Sequence, residues 1–82
     1  MEAIETKQMT AGQFLKMKRK EANLTKTELG RRANLTRTCI YTLESDRVYP
    51  RFSTLMRIIR ELKKFTVEEF YAIKKGASSI ER

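Results

Sequence analysis

Histidine is absent from the 82 residues, and cysteine occurs once. A disulfide within the chain is therefore excluded, and a Cys/His zinc site has no ligand set. Charge-relay nucleophilic catalysis lacks its usual base, so neither an enzyme, nor a metal, nor a cofactor is expected. The single thiol, Cys39, fits a reducing compartment, and the expected location is the cytoplasm. Proline occurs once and glycine three times. β-Branched residues do not alternate over any long window, so no strand pattern emerges. No apolar run approaches the ~18 residues of a membrane span and no signal peptide is evident, so no membrane partner is expected.

Positive charge is what the chain has in excess. Eighteen Lys and Arg face ten acids, a formal net charge of +8 with a pI near 10.0. That is more than solubility requires. It points to a polyanion, of which nucleic acid is the commonest, against the plainer reading of a generally basic surface. The excess lies in the body of the chain rather than in a tail. Residues 12–23 hold Lys16, Lys18, Arg19 and Lys20 against Glu21, and residues 51–64 hold Arg51, Arg57, Arg60, Lys63 and Lys64 against Glu61. The length makes one small domain, which buries only about 60% of its unfolded surface. A hydrophobic content of 40% with four Phe still permits a real core.

Helix-start signals recur. Thr10 with Gln13, Thr25 with Glu28 and Thr66 with Glu69 each read as a capping box, in which the Thr hydroxyl accepts from a first-turn N–H while the longer side chain reaches back. Five helices are expected, over residues 11–22, 26–33, 37–45, 52–63 and from 67 onward. Their inner stripes hold Phe14 and Leu15; Leu29 and Ala33; Ile40, Leu43 and Glu44; Leu55, Ile58, Ile59 and Leu62; and Val67, Phe70, Tyr71 and Ile73. Gly30 lies inside the second helix, where it costs about 1 kcal/mol against Ala, so close approach of a neighbouring helix is expected there. Residues 1–9 are expected to form a flexible arm and residues 75–82 a flexible tail, around a domain over residues 10–74.

The central stretch, LTKTELGRRANLTRTCIYTLESDRVYP over residues 24–50, reads as two short helices joined by a tight turn. Asn34 tolerates the left-handed conformation that such a turn needs. Thr38, Tyr41, Thr42 and Ser45 point away from Ile40 and Leu43, giving the second helix an uncharged hydrogen-bonding outer stripe. In so basic a chain, that face suggests a DNA reader.

From Gly12 to Tyr71 the pattern resembles the phage repressor and Cro-type helix-turn-helix family, also called the xenobiotic-response-element family. The matching residues include Leu15, Arg19, Leu24, Thr25, Leu29, Ala33, Thr36, Ile40, Glu44, Pro50, Leu55, Ile58, Leu62, Val67 and Phe70. The resemblance implies an all-α, five-helix repressor-like bundle with a central helix-turn-helix, bacterial or phage-encoded and nucleoid-associated. It implies base contacts from Thr36, Arg37, Thr38, Tyr41 and Thr42 in the major groove. Arg37 suits guanine O6 and N7, and threonine offers a hydroxyl and a thymine-contacting methyl. Two alternatives stay open: Thr36 serves equally as an N-cap, and Arg37 also fits a phosphate contact. Lys26, Arg47, Arg51 and Ser53 are the implied phosphate contacts, with backbone amides near Phe52 and Ser53. Lys16, Lys20 and Arg60 read as solvated charges, and Cys39 as a packing residue.

The resemblance also implies a structural ion pair between Arg19 and Glu44, which makes Glu44 scaffold. Three positions depart from the family pattern. Lys26 stands where a phosphate-clasping Gln is usual. Asn34 and Asp46 stand where Gly is usual, and Asp46 costs about 1 kcal/mol if it is left-handed. A two-fold dimer is expected, because one unit reads few base pairs. Phe70, Tyr71 and Ile73 are the candidates for its interface, unless they complete the core. The resulting expectation is a sequence-specific repressor of a double-stranded DNA operator, without cofactor, acting as a homodimer. Rivals are an antitoxin with a toxin or other protein partner, a restriction–modification controller protein, and a nonspecific RNA- or polyanion-binding module.

Overall fold

The computed structural model describes residues 9–73. Five helices follow one another: α1 Ala11–Glu21, α2 Lys26–Ala33, α3 Arg37–Glu44, α4 Phe52–Leu62 and α5 Val67–Tyr71, with no strand among the described residues. The expected flexible ends, residues 1–9 and 75–82, lie outside the described residues except for Met9.

Threonine starts four of these helices. The hydroxyls of Thr10, Thr25 and Thr66 each accept from the backbone N–H three residues on, and Gln13, Glu28 and Glu69 each accept in return from the threonine N–H. Thr36 caps α3 through Cys39 N–H but has no returning partner. Each such cap is worth about 1 kcal/mol.

Helix ends are made without glycine. Asn23, Asn34, Asp46 and Lys63 all adopt left-handed backbone, at φ 60°, 61°, 62° and 53°. The first three close Schellman motifs. Leu24, Leu35 and Arg47 donate N–H bonds back to the carbonyls of Arg19, Gly30 and Thr42, and the Asn or Asp before each donates to a carbonyl three residues earlier. Asn and Asp suit this backbone better than most residues, and Lys63 does not.

The core is built by Leu15, Leu29, Ile40, Leu43, Leu55, Ile58, Leu62, Phe65 and Phe70, all buried, with Phe14 and Ile59 packed partly against it. Each fully buried side chain of this kind contributes about 1.5–3 kcal/mol. Phe14, Phe65 and Phe70 form an aromatic cluster in which the Phe14 and Phe65 rings meet edge-on at 5.0 Å.

Two glycines permit the packing. A Cβ on Gly12 would lie 2.5 Å from the Glu44 carbonyl oxygen, so α1 approaches the end of α3 backbone to backbone. A Cβ on Gly30 would lie 2.8 Å from the Leu35 oxygen. The next atoms are those of Thr36, the N-cap of α3, so the close approach is made by the turn and the start of the neighbouring helix. α5 is also shorter than its apolar stripe suggests, ending at Tyr71 with Ile73 beyond it.

Candidate nucleic-acid interface

The α2–α3 unit is clamped from two sides. Arg19 and Glu44 are 6% and 8% exposed, and they meet in a bidentate pair: Arg19 Nε donates to Glu44 Oε2 at 2.7 Å and Nη2 to Oε1 at 3.1 Å. The third guanidinium nitrogen, Nη1, donates to the Leu24 carbonyl at 2.7 Å. One side chain of α1 thus grips both the entry to α2 and the inner face of α3. On the other side, Arg57 of α4 reaches the Asn34 carbonyl in the turn.

This clamp turns the opposite face of α3 outward. Thr36, Arg37, Thr38 and Tyr41 are exposed, and Thr42 is half-buried. Their hydroxyls are not equivalent. Thr42 donates to the Cys39 carbonyl at 2.9 Å, which spends its proton inside the helix and leaves the oxygen only as an acceptor. Thr36 accepts the cap bond but keeps its proton to donate. Capping and contact are thus compatible at that position. Arg37 and Thr38 make no side-chain hydrogen bond or ion pair among the described residues. Cys39 is half-buried against the core.

Each acid of residues 24–50 has a hydrogen-bond partner within the chain, and Glu44 alone is buried. Glu44 faces Arg19. Glu28 accepts from the Thr25 N–H, which holds its carboxyl below the usual glutamate range. Asp46 accepts from Thr10 and from the Gly12 N–H. The bases of the same stretch form no ion pair among the described residues, where the only pairs are Lys18–Glu21 and Arg19–Glu44. The five bases of the stretch thus outnumber its three acids and none is tied up in a direct ion pair, a balance that suits a polyanion site.

Lys26 is half-buried at the start of α2. Arg47 packs its guanidinium over the Tyr41 ring at 5.7 Å, a contact that sequence inspection missed because the partners come from a helix and a loop. Arg51 is the N-cap of α4 but makes no side-chain cap bond, unlike the four threonines. The first N–H groups of α4 thus stay open beside exposed Arg51 and Ser53, an arrangement suited to a phosphate oxygen.

The three residues considered for a dimer interface separate. Phe70 is 0% exposed and fills this chain's own core, so it is not available to a partner. Tyr71 is exposed and Ile73 half-buried. Tyr49, which nothing in the sequence singled out, stacks on Tyr71 with ring centroids 6.5 Å apart. Burial, and then the neighbouring Tyr71, push the Tyr49 hydroxyl above its ordinary range.

Among the described residues no group of His, Cys, Asp and Glu could hold a metal ion, and no helix is long and apolar enough to cross a membrane.

The helix-turn-helix family model matches residues 15–70. An immunity repressor protein of Bacillus phage phi105 is 47% identical over 47 residues, which cover 57% of this chain and 33% of that relative. The match thus spans about a third of the curated relative's length. No solved structure matches the chain.

Proposed function

Because the chain belongs to the helix-turn-helix family of phage-repressor and Cro type, we propose that it is a DNA-binding transcriptional regulator, and specifically a repressor that lays α3 in the major groove. The observation that carries this reading is the division of charge in residues 24–50. Each of the three acids has a hydrogen-bond partner within the chain, while α3 presents exposed Arg37 and Thr38 and carries Arg47 over Tyr41. Arg37 and Thr38 lie at the N-terminal end of α3, the part of a recognition helix that meets base edges. Thr36, Tyr41 and Thr42 complete the base-reading set. Lys26, Arg47, Arg51 and Ser53 take phosphates, which fix register without reading sequence.

α3 is eight residues long and reads only a few base pairs. We therefore assign the working form as a two-fold dimer, with Tyr71 and Ile73, now joined by Tyr49, as the candidate contact. Half-sites would then lie one helical turn apart, about 34–36 Å centre to centre.

Selection of bound duplexes from a random pool tests the reading. A recurring two-fold symmetric sequence is expected. Random duplex at the same salt should compete about a thousandfold or more less well. Equal competition by random duplex, or by RNA, would leave a nonspecific polyanion-binding module in its place.

A further inference from the structure

Asp46 follows the last turn of α3 in left-handed backbone at φ 62°. If only that conformation mattered, glycine would serve better, since it carries no Cβ cost there. The aspartate side chain does something glycine cannot. Its Oδ1 accepts from the Gly12 N–H at 2.9 Å, and its Oδ2 accepts from the Thr10 hydroxyl. Both partners belong to the start of α1, more than thirty residues away.

That helix start has no acidic residue in its own first turn. The Asp46 carboxylate supplies the negative charge that the N-terminal dipole favours and satisfies one of its open N–H groups. It does so beside the close contact of Gly12 with the Glu44 carbonyl. Two devices thus join the same pair of helices. Arg19–Glu44 holds the inner face of α3, and Asp46 holds its exit.

The next residue is Arg47, whose N–H closes the Schellman turn on Thr42 and whose guanidinium lies over Tyr41. The path from Asp46 therefore leads directly to the outer face of α3. We infer that Asp46 is a positioning residue for sequence reading: its carboxylate clasps the end of α3 to the start of α1, and so fixes the angle of the reading helix. This inference rests on the DNA-reading assignment above.

Asp46→Gly and Asp46→Asn separate the roles of backbone and side chain. Glycine keeps the turn and loses the clasp. Asparagine tolerates left-handed backbone and can still accept from Gly12 N–H while its amide donates to Thr10 Oγ1. The full chain is compared by thermal unfolding, amide exchange, and binding to the duplex selected by the wild type and to random duplex.

Asp46→Gly is expected to melt cooperatively but to lose protection at the Gly12 amide. Its affinity for the selected duplex should fall about tenfold, the lower end of what one base contact is worth. Random duplex, held by phosphate contacts, should change less than about twofold, and Asp46→Asn should recover most of the loss. Unchanged Gly12 exchange, equal losses on the two duplexes, or an Asp46→Asn chain as weak as the glycine variant would overturn the proposal. A wild type that prefers no duplex would instead sink the regulator reading, and the Gly12 exchange would still decide whether the clasp exists.

Discussion

Removing the carboxylate of Glu44 should be among the most damaging single changes in this protein. The pair it forms with Arg19 is more than nine-tenths buried on both sides, so solvent screening does little to weaken it. Glu44→Ala strands a guanidinium that keeps only its bond to the Leu24 carbonyl. Breaking one side of a buried pair costs about 3–5 kcal/mol. A chain of this length has about 4–12 kcal/mol of stability in total, at 0.05–0.15 kcal/mol per residue. The change therefore consumes about a quarter or more of it, and at 4–8 °C per kcal/mol lowers the melting temperature by roughly 12–40 °C. Glu44→Gln keeps an acceptor and should lose about half as much, in line with charged hydrogen bonds worth about 1.5–3 kcal/mol. The double variant Arg19→Met with Glu44→Leu is the critical arm. Replacing both charges by apolar groups is often neutral, so it should recover to within about 1–2 kcal/mol of the wild type, the remainder reflecting the orphaned Leu24 carbonyl. Thermal and urea unfolding followed by circular dichroism measure all three, together with Arg19→Met and Glu44→Leu alone. If Glu44→Ala melts within about 4 °C of the wild type, or if the double variant equals the sum of the two singles, the pair is not the clamp described.

Four further outcomes are expected. Arg37→Ala should cost about 1–3 kcal/mol on the selected duplex and relax one base position, and equal losses on random duplex would make it a phosphate contact. Lys26→Ala and Arg51→Ala should weaken all duplexes alike and each reduce the slope of log affinity against log salt by about 1; an unaltered slope removes that residue from the phosphate set. Lys63→Gly should raise stability by about 1 kcal/mol in thermal unfolding, because a left-handed lysine carries a Cβ cost that glycine lacks. The Glu28 carboxyl should titrate below an unstructured glutamate by NMR, since the Thr25 N–H favours its charged form. A depressed carboxyl contributes stability that is present above its unfolded value and lost as pH falls through the folded one, so an ordinary or raised midpoint would refute the capping account.

The helices were legible because their causes are local. A threonine three residues before a Gln or Glu, and an apolar residue every three or four, act over one or two turns and need no distant partner. Asn34 is legible for the same reason: a short polar side chain tolerates the left-handed turn wherever the rest of the chain lies. Gly30 shows the limit of such inspection. Its lack of a Cβ pointed to a close approach, but the sequence could not say that the approaching atoms were the backbone carbonyls of Leu35 and Thr36, where the turn enters α3. Phe70 shows the same limit from the other side, since an apolar residue on a terminal helix fits a core or an interface equally well.

By itself, then, the sequence determined an all-helical domain with a helix-turn-helix at its centre, an excess of positive charge in its body, and a polar outer stripe on the third helix. Only the tertiary structure decided which of those charges are left over. Whether Glu44 and Asp46 face the bases of their own stretch or are taken up elsewhere depends on partners 25 and 34 residues away. Burial of Phe70 likewise depends on how helices meet, and the stacking of Arg47 on Tyr41 on the turn that ends α3. Coulomb and hydrogen-bond energies fall off over a few ångströms, and sequence distance does not report ångströms until the chain has packed.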